Sequence, residues 1–287
     1  MYTRILVATG GSPWSDAAVA YAIALAAHIG AVLRIVTVVG VPQPIALLPE
    51  AMGGSELVLD TIESEAQDLV AQAAARATSA GVVCQTFCTW GNVPETILRL
   101  ATEERCDLII VGTRGMMGLK RLMLGSTANA VAVKAPQPVL VVKQSAVSRP
   151  SFGHRLLVAT GGSPWSEAAV EHAVQLARAL QLELCILHVE RGWSHRGEDP
   201  GSSEGKHLLA LAEERAARAN VAYEGVLASG SVSEAILATA ARKQCDAIVL
   251  GSRGLTGWKR LMVGSIANAV TAKAPQPVLL VKRFVGV

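Results

Sequence analysis

One glycine pattern occurs twice in this chain: G-x-x-G, then nine residues, then G-S. Its members are Gly112, Gly115, Gly125 and Ser126 in the first half, and Gly251, Gly254, Gly264 and Ser265 in the second. Each copy follows a short aliphatic run and leads into a helix-like stretch. A glycine loop between a strand and a helix lets backbone N–H groups converge on phosphate oxygens, and the helix dipole favours that negative charge. The repeated pattern therefore indicates two phosphate-binding loops.

The elements that must position these loops alternate between strand and helix. In the first half the pattern predicts strands at Arg4–Thr9, Val32–Val39, Val82–Cys88, Leu108–Gly112 and Val139–Lys143. It predicts helices near Ser15–Ile29, Glu56–Ala80, Pro94–Glu104 and Thr127–Lys134. Ser12 followed by Pro13 marks the start of the first helix, because serine caps a helix and proline suits its first position. Alternation of this kind implies parallel strands joined by right-handed crossovers. We therefore expect a doubly wound α/β fold, with five parallel strands and helices on both faces.

Longer stretches of sequence also recur. Val7–Ser15 returns unchanged as Val158–Ser166, at an offset of 151, and Ala135–Leu140 returns as Ala274–Leu279, at an offset of 139. The first copy is therefore 12 residues longer, and the excess is best placed in the loop Gly40–Ser55. Internal repeats of this length indicate duplicated structural units.

The duplication predicts two tandem domains, at residues 1–144 and 154–287, with a linker at 145–153 that is rich in Ser and Pro. Apolar residues make up 51% of the 287 residues but aromatic residues only 4%, which suits a core of Ala, Val, Leu and Ile around buried parallel strands. The net charge of +3 gives no reason to expect nucleic acid or an anionic membrane as partner.

Targeting and metal signals are weak. The longest apolar stretch, Ala17–Ala27, is shorter than the roughly 20 residues that span a bilayer, and no signal peptide is visible. We therefore expect a cytoplasmic protein.

The five cysteines show no zinc spacing, and Cys106 and Cys245 are interpreted as small buried residues. No metal site is predicted.

In open α/β sheets, ligands bind beyond the carboxyl ends of the strands, where the strand order reverses. The first strand of each half ends there in matching residues: Thr9, Gly10, Gly11 and Ser12, and Thr160, Gly161, Gly162 and Ser163. Two arginines inside the glycine motif, Arg114 and Arg253, either pair with phosphate or stay solvated. After the last glycine, Ser126-Thr127 and Ser265-Ile266 open a helix and offer N–H groups.

The whole chain resembles a tandem universal stress protein. The resemblance is carried by Ile5-Leu6-Val7-Ala8 with Gly11-Ser12, by the glycine motif in both halves, and by the closing Ala-Pro-Gln-Pro-Val-Leu. It implies an adenine nucleotide alpha hydrolase-like fold and an adenine nucleotide ligand (ATP, ADP or AMP). It also implies that Val38 and Val189 present backbone to adenine, and that the motif residues hold ribose and phosphates. Such a protein would act in the stress response as a nucleotide-dependent sensor or signalling module.

The chain departs from its relatives at one position of each site. Relatives that hold ATP usually carry Asp at the end of the first strand, where this chain has Gly10 and Gly161. Glycine supplies no side chain to bind the nucleoside or a metal. Mg²⁺ is therefore not required by the sequence, and we expect either nucleotide binding without tight metal dependence or a different nucleotide.

No residue is assigned a catalytic role. The chain lacks G-x-x-x-x-G-K-[ST], G-x-S-x-G, H-E-x-x-H and kinase-type elements. His188 has no fixed partner in the sequence and is interpreted as structural. Two alternatives stay open beside nucleotide sensing: slow ATP hydrolysis, and a nucleotide-free interaction protein in which the glycine loops are relics.

The closing strands, Val139–Lys143 and Val278–Lys282, are expected at sheet edges that need cover. Single-domain relatives usually dimerise through this strand. The resemblance therefore implies that the two halves pair as an intrachain pseudo-dimer. The sequence leaves open whether the whole chain forms a homodimer.

Overall fold

The structure is a computed structural model that describes residues 2–40, 55–113, 124–144, 152–190, 203–252 and 263–282. It divides into two compact units. One comprises Tyr2–Ala135 with Val142–Pro150, and the other comprises Pro136–Val141 with Ser151–Val287. A short segment of the first sequence repeat thus groups with the second unit.

Both repeats show the predicted alternation of strands and helices. The first contains β1 (Arg4–Thr9), α1 (Pro13–Ile29), β2 (Val32–Val39), α2 (Ser55–Ser79), β3 (Cys84–Trp90), α3 (Val93–Glu103), β4 (Leu108–Gly112), α4 (Ser126–Lys134) and β5 (Val139–Val142). The second contains β6 (Arg155–Thr160), α5 (Pro164–Leu180), β7 (Glu183–Glu190), α6 (Ser203–Arg218), β8 (Tyr223–Ser229), α7 (Val232–Arg242), β9 (Ala247–Gly251), α8 (Ser265–Lys273) and β10 (Val278–Val281).

The strand order is that of a doubly wound sheet. In the first repeat it runs β3-β2-β1-β4, with Val7 paired to Ile35 on one side and to Ile110 on the other, all in parallel. In the second it runs β8-β7-β6-β9-β10, also in parallel. The predicted fold class is confirmed, and in each repeat the strand order reverses beside the first strand.

The core consists of aliphatic strand residues with helices packed over them. Side chains in the middle of β1, β4, β6 and β9 have no exposed surface. α1 packs on β1 and β4, and α2 packs on β2 and β3, while α3 packs against α4. The second repeat follows the same plan, with α5 on β6 and β9, α6 on β7 and β8, and α7 against α8. This packing holds the carboxyl ends of the central strands at one edge of each sheet.

β3 is shifted from its predicted bounds, and β5 and β10 each end one residue before the predicted Lys143 and Lys282. β3 begins at Cys84 rather than Val82 because Val82 N still donates to Ala77 O at the end of α2. Its ladder then runs on to Trp90, until the chain turns at Gly91 with φ +147°. The strand is therefore shifted by two residues from the predicted Val82–Cys88.

β10 pairs antiparallel with β5, through Val278 with Val141, Leu279 with Leu140 and Leu280 with Val139. Leu140 and Leu279 occupy the same position of their repeats, so each strand meets its own counterpart about a local two-fold centre. All paired side chains are at most 1% exposed. The prediction that the two closing strands need cover and pair with each other is confirmed.

Two further expectations concern buried thiols and membranes. Cys106 and Cys245 are buried, as predicted, and burial raises the pKa of the Cys106 thiol to about 12.

Within the described ranges, no helix combines the length and the apolar character needed to cross a membrane.

Candidate functional site

The turn after the first strand is built in the same way in both repeats. Gly11 has φ +70° and Gly162 has φ +68°, a left-handed conformation that glycine adopts without strain. Ser12 then caps α1: its side chain accepts from Ser15 N at 3.2 Å, and Ser15 Oγ accepts from Ser12 N at 3.0 Å. The capping box confirms the helix start that Ser12-Pro13 predicts.

Ser15 is the residue of this turn that the sequence reasoning missed. Its hydroxyl donates to Ser12 O at 2.8 Å and lies 3.3 Å from Gly10 N, and Ser166 repeats both contacts in the second turn. The only signal was that a serine stands at this place in both copies. Because the Ser12 and Ser163 hydroxyls serve as caps and are buried, they stabilise the turn, and their contact with a ligand stays a prediction.

Gly112 lies against the first turn of α1. A Cβ there would stand 2.5 Å from Trp14 O and 2.9 Å from Ser15 N, and at Gly251 it would stand 2.7 Å from Trp165 O. Glycine is therefore required by the contact between strand and helix, a reason that the motif alone did not reveal. The contact brings the end of β4 beside the turn that follows β1.

Gly125 joins the start of α4 to this strand end. Its N–H donates to Thr113 O at 2.7 Å, and Gly264 donates to Ser252 O at 2.8 Å at the start of α8. Both glycines are N-caps without a side-chain cap bond. The first N–H groups of each helix, including those of Ser126, Thr127, Ser265 and Ile266, thus keep no intrahelical acceptor.

The strand ladder becomes one-sided at the end of the second strand of each repeat. Pairing of β1 with β2 ends at Thr9 and Thr37, whereas pairing of β2 with β3 runs on to Val39. Val38 therefore has a strand partner on one side only, and Val189 has the same arrangement because pairing of β6 with β7 ends at Thr160 and His188. The backbone of Val38 and of Val189 therefore lies just past the last residue pair with β1 or β6.

The comparisons with known proteins decide the family. The model of the universal stress protein family matches residues 1–143 and 153–282. The chain belongs to the universal stress protein family. A universal stress protein of Mycolicibacterium smegmatis is 29% identical to it over 97% of this chain and 96% of that protein. The universal stress protein YxiE of Bacillus subtilis is 36% identical over 45% of this chain and 99% of its own length.

A universal stress protein structure from Archaeoglobus fulgidus shares the fold. It covers 98% of both chains with a TM-score of 0.77 at 23% identity. The tandem arrangement predicted from the repeats thus agrees with both kinds of comparison.

Gly10 and Gly161 are the two positions at which the resemblance predicts Asp. In the part of the chain that the structure describes, a Cβ built on either glycine has no atom within 4 Å. The missing side chain therefore leaves open space in both repeats, whereas the adjacent Thr9 and Thr160 are buried at 7% and 5% exposure. Packing does not require glycine at these two positions.

The residue that follows β9 carries an unusual hydroxyl. Ser252 is 1% exposed, and its Oγ has no hydrogen-bond partner in the part of the chain that the structure describes. Buried hydroxyls nearly always have a partner. Its counterpart Thr113 is buried too, at 5% exposure.

Four predicted site residues lie outside the described residues: Arg114, Gly115, Arg253 and Gly254. Most of the predicted linker and of the Gly40–Ser55 loop also lies outside them. Among the residues that are described, no group of three or more His, Cys, Asp or Glu side chains suits a metal ion.

Gly112→Ala should lower the free energy of unfolding by about 1–3 kcal/mol, because its Cβ would overlap the backbone of α1. Gly10→Ala is the matched control and should change it by less than about 1 kcal/mol, because its Cβ meets nothing within 4 Å. Urea denaturation followed by circular dichroism measures both. Equal effects of the two variants would contradict the packing role of Gly112.

Proposed function

We propose that this universal stress protein binds an adenine nucleotide (ATP, ADP or AMP) in each repeat and acts as a sensor or signalling module rather than as an efficient enzyme. The observation that carries the proposal is the start of α4 and α8. Each helix begins at a glycine without a side-chain cap, beside the end of a central strand. The N–H groups of the first turn have no intrahelical acceptor and together carry about half a positive charge, which favours phosphate.

The backbone edge at Val38 and Val189 supports adenine at the other end of the ligand. A peptide edge offers one N–H donor and one C=O acceptor, which complement the ring nitrogen and amino group of adenine. β2 and β4 flank β1, so their ends stand about 10 Å apart at a strand spacing of about 4.8 Å. One nucleotide can reach from the base position to the phosphate position across β1.

The alternatives are separated by direct measurement. If the protein hydrolyses ATP, bound ATP turns over at more than a trace rate, and replacement of Ser126 abolishes that turnover. If the glycine loops are relics, protein purified without added nucleotide releases none on denaturation, and titration with ATP, ADP and AMP gives no binding.

Gly125→Asp should weaken ADP binding at the first site by at least about tenfold, because a carboxylate at the helix start repels phosphate. The fold should be kept. Gly125 has φ −59° and ψ 152°, an extended conformation in which Asp is a favoured N-cap. Calorimetric titration of the full chain measures the loss, and Gly264→Asp should have the same effect at the second site.

Gly125→Asn is the control for this change. Its side chain caps the same N–H groups without a charge, so ADP affinity should fall between that of the wild type and that of Gly125→Asp. If all three proteins bind ADP equally, the phosphate is not held at the start of α4, and the proposed site is wrong.

Gly10→Asp with Gly161→Asp should make binding of ATP depend more strongly on Mg²⁺. Both positions have room for the side chain. A carboxylate that helps hold Mg²⁺ on the phosphates contributes about 1.5–3 kcal/mol, or about tenfold or more in affinity. Titrations with and without Mg²⁺ measure the difference. The Asn pair has the same size and no charge, and an equal Mg²⁺ effect in both pairs would contradict this account of the missing carboxylate.

A further inference from the structure

Two side chains of the second repeat hold Thr160 at the end of β6. His188 Nδ1 lies 3.2 Å from Thr160 O, and since a carbonyl only accepts, Nδ1 carries the hydrogen. Glu167 Oε1 lies 3.5 Å from Thr160 Oγ1, at the long end of the hydrogen-bond range, and accepts from it. The other carboxylate oxygen of Glu167 pairs with Arg215 of α6. Neither Glu167 nor Arg215 stood out in the sequence.

The first repeat is built differently at the same place. The counterparts of Glu167, His188 and Arg215 are Asp16, Thr37 and Arg76. Asp16 is one methylene shorter than Glu167, and Arg76 is exposed. Within the described ranges, the Thr9 hydroxyl has no hydrogen bond and Asp16 has no ion pair.

This arrangement determines which ligand group can meet Thr160. Because the hydroxyl proton points to Glu167, Oγ1 is left to accept a hydrogen bond from the ligand. The adjacent carboxylate disfavours a phosphate oxygen there. Gly161 leaves space beside Thr160, since nothing lies within 4 Å of its Cβ position. The fitting group is therefore an uncharged donor, such as a sugar hydroxyl.

We infer that the second repeat reads a ribose hydroxyl through Thr160, which Glu167 orients, and so selects ribonucleotides over deoxyribonucleotides. The first repeat lacks the orienting carboxylate and does not discriminate. Glu167 is a positioning residue in this scheme, and the contact with the ribose belongs to Thr160. The inference rests on the proposed function, because it presupposes a nucleotide whose phosphates lie at the start of α8.

The test compares ADP with 2′-deoxy-ADP and 3′-deoxy-ADP by calorimetric titration of the full chain. Gly125→Asp weakens the first site, so that variant reports binding at the second site. Gly264→Asp weakens the second site, so that variant reports binding at the first. A neutral hydrogen bond contributes about three- to tenfold in affinity. The second site should therefore bind ADP about three- to tenfold more tightly than one of the deoxy analogues, and the first site should bind all three within about twofold.

Three substitutions connect the ratio of the affinity for ADP to the affinity for the weaker deoxy analogue with the named residues. Thr160→Val keeps the shape of the side chain and should abolish the discrimination, and Glu167→Asp, which copies the first repeat, should reduce it to the first-site value. Asp16→Glu should increase the ratio at the first site. Merely structural damage would weaken ADP and the deoxy analogues equally and leave the ratio unchanged.

The outcomes separate the two proposals. If ADP binds the second site no more tightly than either deoxy analogue, the ribose inference is overturned. Nucleotide binding would still stand. A ratio that survives Thr160→Val overturns the assignment to that hydroxyl. Absence of binding of ATP, ADP and AMP to the wild-type chain would overturn the proposed function and the inference together.

Discussion

The close approach of a strand end to a helix start is the constraint on which both candidate sites depend. At Gly112 and Gly251 the backbone of the strand touches the backbone of the first helical turn, so no side chain fits between them. This contact sets the turn after the first strand beside the loop after the fourth. The uncapped helix start is then tied to the same strand end by one backbone hydrogen bond. Two loops distant in sequence thus share one edge of the sheet.

What the sequence predicted were the features that depend on neighbouring residues. Alternating aliphatic runs predicted the order of the strands, and Ser12-Pro13 predicted the start of α1, because a cap and a proline act within one helical turn. The identical segments predicted the duplication. The start of β3 was placed two residues early because a backbone bond to the preceding helix, which has no side-chain signal, still held Val82.

The features that escaped prediction depend on residues far apart in the chain. Gly112 is read from sequence as a ligand-facing glycine, and only the position of Trp14 shows that packing requires it. The difference between Asp16 and Glu167 is one methylene in the sequence. Its effect depends on where Arg215 lies along another helix, which no local pattern indicates.

The register of the closing strands has a consequence for how the repeats can change. When two separate copies pair about a two-fold axis, every substitution appears on both strands of the contact at once. In a fused chain the partners are encoded separately, and their association no longer depends on protein concentration. Selection can therefore modify one strand or one repeat alone. In a duplicated chain of this kind, one repeat can keep the ancestral function while the other repeat specialises.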